Sequence, residues 1–582
     1  MSIFSTDKNQ NPGIVERFVR RWISFSKQRE EQVFLALTLL IGAIVGLAVV
    51  AFIVLTERTG MRLYPVGSSA WRRVLIPIMG ALAMGYLLAR YFPDARGSGV
   101  PQTKAALFAR DGFISLRTVL GKFLCTSATL ASGIPLGREG PSVQVGAGIA
   151  SVLGRRLGLR PEKVKALLPV GASAAIAAAF NTPMAAVLFS LEEVMGDLNA
   201  PILGSVVLAS ATSWAILRML LGNNPLFHVP QYELVHPTEF AIYAVLGVAG
   251  GLLSAAFTSL LLKIRKHFLL LPRKTNWWHP VTGGILVGLM GWIVPQVLGV
   301  GYSYVGDALN GNMPLKLMAL LVVLKLVAVA ASYGSGNAGG IFGPSLFLGA
   351  MLGGTIGGIA HHFLPATTAT SGAYALVGMG ALFAGVVRAP MTSVLMIFEM
   401  THDYAVIVPL MIANLASLFI ASRLQKQPIY EALAHQDGIH LPSAKLREEF
   451  GQRKVFQVMR GATEVLSALI SVQSALDQVR LSPFRAWPLM DEERVVGVLS
   501  RATLNSALAA GKGQEPLSSL LETIEFPHVH TDQALHYALE RMSGAQIDIL
   551  PVVNRANVHK LEGVVSLRDV LDSYGVDSIG SA

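Results

Sequence analysis

The sequence is poor in charge: of its 582 residues, 14% are Asp, Glu, Lys or Arg, against 52% hydrophobic residues. Soluble domains carry about 25% charged residues, so much of this chain cannot face water. Its single cysteine, Cys125, excludes an internal disulfide and a metal site made of several cysteines. There is no Gly-x-x-x-x-Gly-Lys-Ser/Thr loop, His-Glu-x-x-His motif or Ser/His/Asp constellation, so the sequence supports neither an enzyme nor a metal site.

Long apolar runs are what the sequence has instead. A membrane-spanning helix needs about 20 residues, and several of these apolar runs approach that length. The clearest run, residues 34–55, contains no charged residue. The chain also has 57 glycines, which in a membrane allow close helix packing and irregular backbone around a cavity. The sequence therefore predicts an all-α polytopic membrane protein surrounded by lipid.

The N-terminal segment is polar and basic. No short apolar core with a cleavage site precedes the first apolar run, so we expect no signal peptide. Its basic residues predict a cytoplasmic N-terminus, and we expect the C-terminus on the same side of a bacterial inner membrane. The net charge of +11 fits the excess of basic residues that cytoplasmic segments of membrane proteins carry. Nucleic acid is not expected as a partner, because the basic residues form no single soluble patch. The basic flank consists of Arg17, Arg20, Arg21, Lys27 and Arg29.

Composition divides the chain into regions. Hydropathy falls after Ser422, and charged residues become frequent from Arg423 onward. The predicted organisation is a cytoplasmic segment (1–30), a membrane domain (31–425, with halves of about 31–225 and 235–425), a linker (426–450) and a soluble region (451–582).

The membrane region contains an internal repeat. Gly137-Arg-Glu-Gly-Pro141 matches Gly340-Ile-Phe-Gly-Pro344, and the segment from Gly171 to Glu192 matches that from Gly378 to Glu399. Helix-packing glycines could produce one such match by convergence, but two in the same order and at nearly the same offset indicate duplication. Repeated halves with interrupted apolar segments are typical of transporters whose binding site lies between the halves.

Three Gly-rich stretches each precede or open an apolar helix: residues 97–101, 137–141 and 340–344. Proline suits a first helical turn, and glycine lets the preceding backbone approach a ligand closely. First-turn N–H groups are unpaired and lie at the positive end of the helix dipole. One such stretch could be an ordinary helix break, but three together predict an anion site without a fixed cation that would hold the anion too tightly.

In order and spacing these stretches resemble the three signature motifs of the CLC family of chloride channels and transporters. The resemblance implies the CLC fold with inverted helical halves, a homodimer with one pore per subunit, and transport of chloride and protons. It continues through residues 180–183, 191–193, 388–390, 398–400 and 428–430.

The resemblance also implies an anion site. Ser98 would coordinate the central anion through its hydroxyl and Tyr430 through its phenol, with backbone N–H groups of Ile341 and Phe342 as further donors. A serine at this position favours chloride over nitrate or fluoride. Taken alone, Ser98 could be a turn residue and Tyr430 an interfacial anchor. The implied anion-binding residues are Ser98, Tyr430, Ile341, Phe342, Arg138 and Gly140.

Glu139 is the predicted gate. A carboxylate inside a membrane costs about 2.5–3.5 kcal/mol and usually marks an ion pathway. Beside helix N-termini its charged side chain can occupy an anion site, and protonation would release it and admit chloride. The alternative is a buried ion pair with Arg138.

Glu192 and Glu193 follow an apolar run, and the repeat separates their roles. Glu192 matches Glu399 and is interpreted as structural, whereas Glu193 matches Met400 and is interpreted as functional. Glu193 also falls where CLC exchangers have their internal proton glutamate, which favours an H+/Cl− antiporter. The alternatives are a passive chloride channel on the same scaffold and, less favoured, a membrane-anchored nucleotide sensor.

The soluble tail contains a second repeat, of predicted α/β type, in units of about 451–512 and 516–577. Helix starts are predicted at Ser471 and at Thr531-Asp532. The tail resembles a CBS pair, which could bind an adenine nucleotide as the only cofactor. Ser566 and Asp569 match the ribose-contacting pattern, but Thr503 stands where the first unit would have its acid. A dimerising regulatory module without a ligand is the open alternative.

Overall fold

The computed structural model describes residues 30–573 except 66, 68, 199–200, 223–225, 228, 231, 233, 440–452, 462–464, 522–525 and 546. The chain divides into two compact units, Met1–Leu441 and Pro442–Ala582. We call them the membrane unit and the C-terminal unit. The described part of the membrane unit is helical, and the C-terminal unit combines short strands with helices.

The membrane unit is built from helices because a bilayer offers no partner for unpaired backbone N–H and C=O groups. Eight of its described helices are long and apolar enough to cross a membrane. The helices of the first half are α1 (Glu30–Leu63), α2 (Ala70–Arg90), α3 (Val100–Ala109), α4 (Leu116–Ala131), α5 (Glu139–Arg156), α6 (Pro161–Phe180), α7 (Pro183–Phe189) and α8 (Leu203–Leu221).

The second half repeats this order. Its helices are α9 (Glu239–Leu270), α10 (His279–Ile293), α11 (Tyr302–Leu309), α12 (Leu315–Gly334), α13 (Phe342–Phe363), α14 (Ser371–Val387), α15 (Pro390–Thr401) and α16 (Ile407–Leu424), and α17 (Ile429–Gln436) follows. A short 3-10 turn follows α2 (Pro93–Ala95) and α10 (Pro295–Val297) alike. The structure thus shows the predicted duplication along the whole membrane unit.

Glycines bring equivalent helices together in both halves. A Cβ at Gly146 of α5 would overlap the carbonyl of Gly171 on α6, and a Cβ at Gly349 of α13 would overlap that of Gly378 on α14. The two halves meet at the first turns of α5 and α13. There Gly137 and Gly340 each donate their N–H to the other's carbonyl at 2.7 Å. This reciprocal pair places the two Gly-rich motifs against each other.

The C-terminal unit contains two small sheets with helices. In the first, β1 pairs parallel to β2 and β2 antiparallel to β3, and in the second β4 pairs antiparallel to β5. Each sheet contributes to its own apolar core. The elements are β1 (Leu466–Ser467), α18 (Val472–Gln478), β2 (Ala486–Asp491), β3 (Arg494–Ser500), α19 (Arg501–Ala509), α20 (His536–Ala545), β4 (Ile549–Val553), β5 (Leu561–Ser566) and α21 (Leu567–Ser573).

Of the two predicted helix starts, one is right and one is wrong. Ser471 caps α18, its hydroxyl accepting the Ser474 N–H at 3.2 Å. The helix expected from Thr531-Asp532 begins at His536 instead. The intervening backbone pairs with another segment, since the Gln533 carbonyl accepts the Val455 N–H at 2.9 Å and is therefore not available to start a helix.

Candidate functional site

Glu139 begins α5 and is fully buried. Its carboxylate accepts the Gly343 N–H at 3.1 Å, in the first turn of α13, and the phenol of Tyr302. The guanidinium of Arg138 does not pair with it but forms an ion pair with Glu57 at 3.0 Å. Glu139 is therefore held at the N-terminus of the repeat-related helix, where an anion is favoured.

Ser98 and Tyr430 are fully buried, and neither hydroxyl has a hydrogen-bond partner among the described residues. Both hydroxyls are therefore available to bind an anion. Gly140 makes room beside Ser98, because a Cβ there would lie 2.8 Å from the serine Oγ. Helix α17, which contains Tyr430, packs against α3, which Ser98 precedes.

Ile341 and Phe342 lie at the N-terminus of α13, Ile341 as its cap and Phe342 as its first residue. N–H groups of a first turn have no acceptor within their own helix. Both residues are fully buried, which keeps this end of the helix away from bulk water. The Phe342 ring packs against the rings of Phe180, Phe189 and Phe383, with centroids 4.8, 5.6 and 4.4 Å away.

Glu193 lies in a π-helical turn, Ser190–Met195, that follows α7. Its Oε1 is 2.7 Å from Nζ of Lys104 on α3, and both side chains are at most 7% exposed. The Tyr430 phenol interacts electrostatically with Glu193 and Glu139, and its helix α17 packs against α3, which contains Lys104. The structure thus gathers both predicted glutamates around the predicted anion residues.

Glu192 and Glu399 are reciprocal helix caps. Glu192, from the first half, accepts the Thr392 N–H at 2.8 Å and the Thr392 hydroxyl at 2.6 Å, at the start of α15. Glu399, from the second half, accepts the N–H groups of Met184 and Ala185 at 3.0 and 2.7 Å, at the start of α7. Each carboxylate therefore stabilises the N-terminus of a helix in the other half.

Two buried lysines, Lys122 and Lys325, occupy equivalent positions in the two halves and also bind backbone groups. Nζ of Lys122 donates to the carbonyls of Ala95 and Gly97 at 3.0 and 2.5 Å, just before Ser98. Nζ of Lys325 donates to the carbonyls of Val297 and Gly299 at 3.0 and 2.6 Å, just before Tyr302. Each lysine fixes the loop that leads into a residue of the site.

The loop Gly299-Val300-Gly301-Tyr302 is not among the motifs predicted from the sequence. It is the second-half counterpart of Gly97-Ser98-Gly99-Val100, and all four of these glycines have positive φ. Only glycine adopts such values without strain. The shared Gly-x-Gly, at nearly the same offset as the other repeats, is the sequence signal that identifies this loop and, with it, Tyr302.

The predicted nucleotide residues are bound to each other. The Ser566 hydroxyl donates to Oδ2 of Asp569 at 2.7 Å, and its Oγ accepts the Asp569 N–H at 3.2 Å. Arg460 forms an ion pair with the same carboxylate. In the first repeat unit, Ser500 accepts the Thr503 N–H at 3.1 Å in the same cap arrangement. The two caps share the serine, and the residue three positions later is Thr503 in the first unit and Asp569 in the second.

Known proteins resemble this chain in both the membrane unit and the C-terminal unit. A model of the CBS domain matches residues 520–575. The H(+)/Cl(-) exchange transporter ClcA of Vibrio campbellii (strain ATCC BAA-1116) is 34% identical over 382 residues, which are 64% of this chain and 81% of the relative. ClcA of Vibrio cholerae serotype O1 (strain M66-2) is 31% identical over 438 residues, 73% of this chain and 93% of the relative.

Among solved structures, a slow cyanobacterial Cl-/H+ antiporter superposes with a TM-score of 0.65 at 27% identity, covering 69% of this chain and 97% of that one. These similarities confirm the predicted CLC fold and CBS region, and they agree with a transporter and not with an enzyme. A model of the family described as voltage gated chloride channel matches residues 79–422, more than half of the chain. The chain therefore belongs to this family, the CLC family that its motifs resemble.

Proposed function

We propose that this protein exchanges chloride for protons across a membrane. The observation that supports this most is the arrangement of two buried glutamates, Glu139 and Glu193, around the unpaired hydroxyls of Ser98 and Tyr430. A carboxylate can bind and release protons, and hydroxyls and helix N-termini can bind an anion. The names of the Vibrio relatives are consistent with this combination.

In the proposed anion site, chloride is held by the hydroxyls of Ser98 and Tyr430 and by backbone N–H groups of Ile341 and Phe342. Arg138 and Gly140 line it through the first turn of α5. The nearby cations bind other groups: Lys104 is paired with Glu193, Arg138 with Glu57, and Lys122 donates to backbone carbonyls. The anion is therefore bound by dipoles rather than by a full charge, which allows it to leave.

In the proposed exchange, ionised Glu139 occupies the outer end of the anion path. Protonation removes the charge that the Gly343 N–H stabilises, so the neutral side chain can leave and chloride can take its place. Glu193 accepts and supplies protons on the inner side. Its ion pair with Lys104 on α3 links this proton site to the helix that begins beside Ser98.

A passive chloride channel on the same scaffold is the second candidate. It would use Ser98, Tyr430 and Glu139 in the same way but would have no use for a buried ionisable group at Glu193. The buried ion pair of Glu193 with Lys104 favours the exchanger. Burying two charges is costly, and of the two candidates only the exchanger needs an ionisable group at this position.

We further propose a homodimer in a bacterial inner membrane, with both termini in the cytoplasm. Family membership supports the dimer, and the basic N-terminal flank supports the orientation. Light scattering of the purified protein tests the dimer, and reporter fusions at each terminus test the orientation.

We also propose that an adenine nucleotide binds the CBS region through Ser566 and Asp569, supported by the CBS match. Binding of a fluorescent adenine nucleotide to the full chain, lost in Asp569→Asn, tests this.

The experiment for the main proposal uses the purified protein in sealed liposomes under a chloride gradient without a proton gradient. A potassium ionophore sets the voltage to oppose passive proton movement, and external pH is recorded. We expect protons to move against this force, and Glu139→Gln to abolish that movement while chloride flux continues. Chloride flux in the unaltered protein without uphill proton movement would contradict exchange and indicate a channel.

A further inference from the structure

Tyr302 is the one side chain among the described residues that donates a hydrogen bond to Glu139. Its phenol donates to Oε1, while Oε2 accepts the Gly343 N–H at 3.1 Å. One oxygen is thus bound by a backbone group and the other by a side chain. The substitution Tyr302→Phe removes this hydroxyl and keeps the ring.

The position of the phenol is fixed by its surroundings. Gly301, directly before Tyr302, has φ +85°, so the chain turns sharply into α11. The loop ahead of it is bound by Lys325, and the Gly299 N–H donates to the Gly133 carbonyl at 2.8 Å. The ring packs against Phe227, with centroids 5.9 Å apart, and the Arg138 guanidinium lies over it, 5.7 Å from the ring centroid.

The charged and titratable groups near Glu139 are few. From α11 it is faced by Tyr302, and from α17 it interacts electrostatically with Tyr430. Arg138, its neighbour in sequence, is paired with Glu57 of α1. Nζ of Lys325 lies behind Gly301 and binds carbonyl groups of the loop. The phenol is therefore the side-chain group in direct contact with the carboxylate.

We propose that Tyr302 is a latch on the outer gate, a positioning residue that holds ionised Glu139 in the closed position. The proposal rests on the proposed role of Glu139 as the gate. A phenol hydrogen bond favours the charged form of a carboxylate and loses most of its strength when the carboxylate is protonated. Tyr302 would thus raise the proton concentration needed for opening.

The sign of the effect follows. Tyr302→Phe removes a donor to the charged form, so Glu139 should become protonated and leave at a lower proton concentration. We expect the pH profile of chloride turnover to move by about one unit toward higher pH, which corresponds to about tenfold faster turnover on the descending limb of the profile.

The test measures chloride efflux from liposomes as a function of external pH for the unaltered protein and Tyr302→Phe. Tyr304→Phe, two residues further along α11, is the matched control and should leave the profile unchanged. Because the latch acts through Glu139, Tyr302→Phe should have no effect on the profile in a Glu139→Gln background. Tyr302→Leu gives a second variant without the hydroxyl, with its shift expected in the same direction.

Two results would overturn the latch: an unchanged profile in Tyr302→Phe, or a shift that persists with Glu139→Gln. Both are distinct from failure of the proposed function, which would appear as absent uphill proton movement in the unaltered protein. A latch without exchange would still give the shifted profile of chloride flux, so each proposal can fail alone.

Discussion

The two halves of the membrane unit have equivalent helices in the same order, and they share some buried charged residues but not others. The carboxylates of Glu192 and Glu399 correspond to each other, as do the ammonium groups of Lys122 and Lys325, and all four bind backbone groups. These four charged residues, which occur as two equivalent pairs, therefore stabilise the scaffold.

Three residues of the candidate pathway are not shared by the two halves. Glu139 corresponds to Phe342, which has no charge and packs among aromatic rings, and Glu193 corresponds to Met400. Ser98 corresponds to Val300 in the second loop. After duplication, a scaffold needs the same helix caps and loop anchors twice, whereas one pathway needs each ion-binding group only once. The comparison separates structural from functional acids within a single dipeptide, Glu192-Glu193.

The largest effect on the scaffold is expected from the reciprocal caps. Glu399→Gln places an amide against one of two backbone N–H groups and should lower stability by about 2 kcal/mol, with Glu192→Gln lowering it by about 1 kcal/mol because that side chain is more exposed. Thermal unfolding in detergent measures both, with the exposed Glu162→Gln as control. An unchanged melting temperature of Glu399→Gln would mean that the acids shared by both halves are not structural, which would contradict the distinction between shared and unshared acids.

A smaller effect is expected at the anion site. Ser98→Ala and Tyr430→Phe each delete one hydroxyl and should weaken chloride binding by about fivefold, the value of one hydrogen bond of about 1 kcal/mol. Calorimetric titration of the purified protein with chloride measures this. Ser254→Ala is the control, since its hydroxyl donates to the Leu382 carbonyl, away from the site. Equal chloride affinity in all three variants would remove Ser98 and Tyr430 from the site.

Much of the fold follows from the sequence because it depends on local patterns. Apolar runs predict spanning helices, and Gly-Pro stretches mark the first turns where N–H groups are unpaired. The repeat could be read from two motifs at nearly the same offset, and the structure extends it to every helix of the two halves. Ser471 shows that a helix start can be read correctly where its cap is local.

The partners of the buried charges could not be predicted in the same way. Lys104 and Glu193 are 89 residues apart, and Tyr302 and Glu139 are 163 apart. Such contacts depend on how helices pack, and no local pattern encodes them. The helix expected at Thr531 failed for the same reason, because pairing with a distant segment holds the backbone of Gln533 outside the helix.

The most direct test of this account compares Glu193→Gln with Glu192→Gln in the uphill proton assay. Both variants remove one negative charge from adjacent residues, and glutamine at 193 can still accept a hydrogen bond from Lys104. We predict that Glu193→Gln transports chloride without moving protons uphill, whereas Glu192→Gln, although less stable, keeps its proton-to-chloride ratio. If Glu193→Gln still moved protons uphill, or if Glu192→Gln alone lost the coupling, the assignment of function to the unshared acid would be contradicted.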